Sequence, residues 1–142
     1  MKKPLLLCLL LAAVVCGCNK EKKTEKEIYG YYTLKSYTVD GMDSLSSFKD
    51  SLNTDFNFFY DDRQNENACQ ISAGKDQIGW SWVLANGYKN LSVNIAYGWT
   101  NGTGPFGINK TPEWEIINLT DKEFDLKTNF NSKEYQIELE RN

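Results

Sequence analysis

From Ile28 onward apolar and polar residues alternate with a period of two, in short runs separated by turn residues. That is the pattern of antiparallel β structure. Eight runs are read. The first, about 29–39, places Tyr32 and Leu34 on one face and is stopped by Asp40-Gly41. The second, about 54–60, sets Phe56, Phe58 and Tyr60 against Asp55 and Asn57; the third, about 66–73, has Cys69 and Ile71 as its apolar face. The fourth, 78–85, sets Ile78, Trp80, Trp82 and Leu84 against Gly79 and Ser81, and Asn86-Gly87 then supplies the residues of a tight hairpin. The fifth, 89–97, carries Leu91, Val93, Ile95 and Tyr97, and the sixth, after Pro112, Trp114 and Ile116. Phe124 and Leu126 mark the seventh, and Tyr135, Ile137 and Leu139 the eighth.

Strands with one apolar and one polar face, joined mostly by short hairpins, are best satisfied by closing the sheet, which removes its edges. The chain is therefore expected to be all-β, an eight-stranded antiparallel up-and-down barrel, with a two-sheet sandwich as the rival that strand pattern alone does not separate. One segment departs from the alternation. Ser44 to Leu52 places Leu45, Phe48 and Leu52 at helical spacing behind Asp43, predicting a short helix in the first connection with Asp43 as N-cap.

In a meander, connections alternate between the two ends. The first (about 40–53), third (74–77), fifth (98–111) and seventh (129–132) share one end, and those near 61–65, 86–88 and 120–121 share the other. Both long connections fall at the first end, which is read as the mouth. The fifth is glycine-rich and carries Trp99 and Phe106, the expected contact residues of a mouth site, with a loop merely pinned by its own aromatics as the alternative.

Ahead of the barrel, Lys2 and Lys3 precede an almost uninterrupted apolar run from Leu5 to Val15, which reads as a secretory signal. The run is shorter than the ~20 residues that span a bilayer as a helix. Val15-Cys16-Gly17-Cys18 resembles the lipobox of bacterial lipoproteins. The resemblance implies cleavage after Gly17, so that residues 1–17 are a signal peptide. It also implies a diacylglycerol on the thiol of Cys18 and an acyl chain such as palmitate on its amine. Such a modification anchors a chain to a membrane, because stable attachment takes at least two hydrophobic signals. Residues 18–27 are then the lipidated cysteine and a charged tether, since 19–27 hold no apolar residue, and the barrel occupies 28–142.

Removing residues 1–17 takes away Lys2 and Lys3, leaving 16 less 2, or 14, basic residues against 19 acidic ones. Nucleic acid is not an expected partner for so acidic a domain. Of the four cysteines only Cys18 and Cys69 survive; with Cys18 committed to lipid no intramolecular disulfide is possible, and Cys69 is expected to be a buried apolar residue. The chain has no histidine, the commonest metal ligand and general base. No nucleophile, metal or phosphate-loop arrangement is present, so neither enzymatic activity nor a cofactor is expected. Asp61-Asp62-Arg63-Gln64-Asn65-Glu66 holds oxygen ligands but lacks the spacing and glycine of a calcium loop, and reads as a solvated turn.

Gly30-Tyr31-Tyr32-Thr33-Leu34 with Asp40-Gly41 resembles the Gly-x-Trp first strand and turn of lipocalin-like bacterial lipoproteins, with Tyr32 in place of the tryptophan and Arg141 in the tail. Trp114 to Leu119, followed by Phe124-Asp125-Leu126-Lys127 and a closing strand, is similar to the C-terminal half of that family. The resemblance implies an eight-stranded barrel that binds a small apolar molecule, anchored in the bacterial envelope, at the outer membrane, on its periplasmic side or at the cell surface. Two functional readings follow: a barrel that takes a small apolar ligand at its mouth, with Trp80, Trp82, Tyr97 and Trp114 joining Trp99 and Phe106, or a solid barrel that binds another envelope protein. Nine inward aromatics, Tyr32, Phe56, Phe58, Trp80, Trp82, Tyr97, Trp114, Phe124 and Tyr135, would leave little interior room. A monomer is expected.

Overall fold

The structure, a computed structural model, describes residues 20–46, 55–73, 76–97 and 112–142. After a helix over 20–28 (α1) come β1 (Gly30–Val39), β2 (Met42–Asp43), β3 (Asp55–Asp61), β4 (Glu66–Ala73) and β5 (Asp76–Ala85). They are followed by β6 (Asn90–Tyr97), β7 (Glu113–Leu119), β8 (Glu123–Phe130) and β9 (Lys133–Arg141). Each strand from β3 to β9 pairs antiparallel with the next, and β1 pairs with both β3 and β9, closing an up-and-down barrel of eight strands. The two-residue β2 is an appendage on β1.

The β1–β9 pairing closes the sheet and excludes the sandwich, and the turn chemistry suits the short connections. Asp40-Gly41, Asn86-Gly87 and Asn131-Ser132 all adopt positive φ, as tight hairpin loops require. At Gly41 and Gly87 the missing Cβ makes that conformation free of steric cost. Short turns of this kind hold neighbouring strands in register, so Trp82 pairs with Asn67 and Val93, and Phe58 with Cys69.

The inner face is the one the alternation marks. Tyr32, Leu34, Phe56, Phe58, Cys69, Ile71, Trp80, Trp82, Leu91, Val93, Trp114, Phe124, Leu126, Ile137 and Leu139 are buried together. Tyr135 is partly buried against them. Cys69 is fully buried, as expected, and burial pushes its thiol well above the ordinary value. Among the described residues the buried apolar core runs from Ile28 to Leu139.

One local expectation is revised, and another lies largely outside the described residues. The helix described lies before β1, whereas of the expected helix in the first connection only residues 45–46 are described as helical and its remainder lies outside the described residues. Its cap is nonetheless in place, since the Leu45 amide donates to Asp43 Oδ1 at 2.9 Å. The segment expected as a solvated tether is α1, docked on the barrel. Its partly covered positions, Glu21, Thr24 and Glu25, fall with buried Ile28 on one helical face. The docking is mainly polar, which is why a search for apolar periodicity does not find it.

Candidate functional site

The two ends of the barrel differ. At the end where β1 begins and β9 finishes, α1 is clipped to the strands by a hydrogen-bonded cluster. Tyr32 Oη donates to the Ile28 carbonyl at 2.8 Å and accepts from Arg141 Nη2 at 2.5 Å. The same guanidinium donates to the Glu27 carbonyl and lies over the Tyr32 ring, 5.1 Å from its centroid. Arg141 of β9 thus packs on the aromatic residue of β1 that stands opposite it in register. On the other side, Tyr29 Oη donates to Asn67 Oδ1 at 2.5 Å, and Asn67 Nδ2 donates to Glu25 Oε1 at 2.8 Å. Asn67 is buried, and these bonds offset the cost of taking its amide out of water. Sequence reasoning missed this plug: no local pattern ties residue 25 to residue 67, or 27 and 32 to 141.

A groove of about 500 Å³ runs beside the plug, between Lys23, Lys26 and Glu27 of α1, Arg141, and Leu119, Thr120 and Asp121. Its charges are mixed, and Lys23 already faces Glu27 at 3.7 Å.

At the opposite end lie the two long connections, most of whose residues fall outside the described ones. Among the described residues β1 pairs with β3 from Gly30 to Thr33, and β6 with β7 from Asn90 to Ser92. Beyond those positions, toward this end, β1 has only β2 on that flank and β6 has no partner on its β7 flank among the described residues. Both seams border the two long connections. A short turn forces two strands to pair along their length; a long connection does not. The expectation that the long connections share one end agrees with this meander. Trp99 and Phe106 lie outside the described residues, as does Cys18, and of Tyr97 only the backbone is described.

Between the ends the rings interlock. Phe58 lies 5.6 Å from Tyr32, 5.4 Å from Phe124 and 6.3 Å from Trp82 by ring centroids, mostly edge to face. Phe56 meets Trp80 at 6.1 Å. Trp80, Trp82 and Trp114 are buried here, as expected of inward residues. Trp82 Nε1 donates to the Ala68 carbonyl at 3.1 Å, whereas Trp80 Nε1 is buried without a partner among the described residues. Thr128 reaches the Glu113 carbonyl at 2.8 Å.

Burial, reinforced by neighbouring Tyr135, pushes the Tyr37 hydroxyl up to about 12 from 10.0. In the unfolded chain this phenol ionises first. Its contribution to stability is therefore full below pH 10.0, the unperturbed value, and is lost as pH rises toward about 12. Tyr37→Phe should make the alkaline unfolding curve shallower over that interval, as followed by circular dichroism. An unchanged curve would show that this phenol does not control it.

Among the described residues no group of three or more His, Cys, Asp or Glu side chains is placed to hold a metal. The Asp61–Glu66 stretch behaves as a turn, with Asp61 Oδ1 accepting from the Arg63 amide at 2.9 Å and Tyr60 Oη donating to Asn65 at 2.6 Å. No family model, curated protein or solved structure matches the chain.

Proposed function

We propose that the chain is a lipid-anchored envelope protein whose lipocalin-like barrel takes a small, largely apolar ligand at its mouth. The observation that carries this reading is the plug: α1 closes one end of the barrel, while at the other the described pairings of β1 with β3 and of β6 with β7 stop at Thr33 and Ser92, beside the two long connections. Apolar sites with a few polar groups, at the mouths of barrels, are where small ligands bind. The anchor is the lipid on Cys18, two residues before α1, so the plugged end faces the membrane and the mouth faces away. Trp99 and Phe106 of the fifth connection are taken as the contact residues, together with the buried Trp80, Trp82 and Trp114.

A naphthalene-based fluorescent probe titrated into the protein tests this. Trp99→Ala with Phe106→Ala should weaken binding roughly tenfold, about 1.4 kcal/mol, and leave the thermal transition in place. Unfolding of the double variant would make these aromatics structural and end the mouth-site reading. The interlocked rings favour a second reading, a filled barrel that acts as an interaction module in the envelope. No probe binding to the wild type, together with saturable binding of an envelope protein, would select it.

A further inference from the structure

We propose that Trp80 recognises a hydrogen-bond acceptor on the ligand, which is therefore an apolar molecule bearing a carbonyl, ether or similar oxygen rather than a pure hydrocarbon. The inference rests on the ligand reading above and goes beyond it by assigning the polar contact.

Three observations converge on this indole. Trp80 is 6% exposed, with its ring against Phe56 on the inner face, and its Nε1 has no partner among the described residues. A buried N–H without an acceptor costs the fold about 1–3 kcal/mol. Two residues along β5, Trp82 avoids that cost through the Ala68 carbonyl, so the scaffold is able to satisfy an inward indole and does so at one of the two positions. Phe56 and Phe58, across β4 in the same interior, show that phenylalanine serves where only packing is needed. A polar ring at position 80 is thus unexplained by packing.

The backbone supplies the second observation. The β5–β6 register shifts between Gly79 and Trp80, where Gly79 pairs with Tyr97 but Trp80 with Ile95. The extra residue is Ala96 on β6, so the bulge lies directly across from the Gly79–Trp80 step, and such bulges concentrate beside binding sites.

The third is position. β5 runs from the mouth toward the plugged end, and Trp80 stands one inner position nearer the mouth than Trp82. It also lies on the strand paired with β6, whose described pairing with β7 ends at Ser92. The unpartnered donor therefore sits on the side of the interior from which a ligand would enter.

The test uses two probes of one shape on the whole protein: 2-acetylnaphthalene and its hydrocarbon isostere 2-isopropenylnaphthalene. The wild type should bind the ketone about tenfold more tightly. Trp80→Phe keeps an aromatic ring and removes the donor. It should lower ketone affinity to the hydrocarbon level and leave the hydrocarbon affinity as it was. In the unmutated protein, the indole N–H resonance that Trp80→Phe removes from the nitrogen–proton spectrum should shift on adding the ketone and stay in place with the hydrocarbon. This keeps the proposal testable if the variant is unstable. Equal binding of both probes to the wild type, or a preference that survives in Trp80→Phe, overturns this inference alone. Binding of neither probe overturns the ligand reading and this inference with it.

Discussion

Phe58→Ala is expected to destabilise the barrel by about 3–5 kcal/mol, a large share of the ~5–15 kcal/mol that holds a domain of this size folded. Phe58 is 2% exposed and touches rings from three other strands: Tyr32 on β1, Phe124 on β8 and Trp82 on β5. Because those neighbours are held by different strands of a closed sheet, none can move into the space without disturbing a ladder. The truncation therefore loses the transfer energy of the ring and leaves a cavity. Urea unfolding measures it, with the midpoint falling at unchanged slope. The control is Phe59→Ala, one residue on and facing outward, where a loss below about 1 kcal/mol is expected because the side chain is only partly covered. A loss at Phe58 no larger than at Phe59 would mean that the interior is loosely packed and able to collapse.

Cys18→Ala is expected to abolish lipid attachment entirely. The argument rests on Val15-Cys16-Gly17-Cys18, where two small residues precede Cys18, whereas bulky Val15 precedes Cys16. Metabolic labelling with an alkyne-bearing fatty acid reads the result, and Cys16→Ala, as control, should keep the label. Label persisting on Cys18→Ala would move the attachment elsewhere. Membrane binding of the mature chain should depend on this lipid. No described helix is long and apolar enough to cross a membrane, and the outer faces of β8 and β9 carry Glu123, Asp125, Glu138 and Glu140. A single acyl chain binds only marginally, so the proposed diacylglycerol and amide-linked chain together would be needed for stable anchoring.

Much of the barrel was legible in the chain because β structure of this kind is written locally. Side chains alternate between faces with a period of two, so Phe56, Phe58, Trp80 and Trp82 declare their side without reference to any partner. The third run, about 66–73, coincides with β4, and Cys69 is buried within it as its place in the alternation requires. Asp40-Gly41 and Asn86-Gly87 mark turns because few other residues adopt positive φ cheaply. Parity then places the two long connections at one end.

What the tertiary structure decided are the features that depend on stagger between distant strands. Arg141 meets Tyr32 because the β1–β9 register brings the end of the last strand beside the start of the first, and no local pattern encodes that register. The charged segment 20–27 reads as solvated on composition, yet Asn67, Tyr29 and Arg141 supply the hydrogen bonds that let α1 dock without an apolar face. Trp80 and Trp82 look alike in the alternation, and only the path of the Ala68 backbone distinguishes a satisfied indole from an unsatisfied one. The sequence determined which residues face inward, because that depends on each strand alone. The closed sheet decided which of them meet, because hydrogen bonds form over about 3 Å and a shift of one residue in a strand moves a side chain by a similar distance and turns it to the other face.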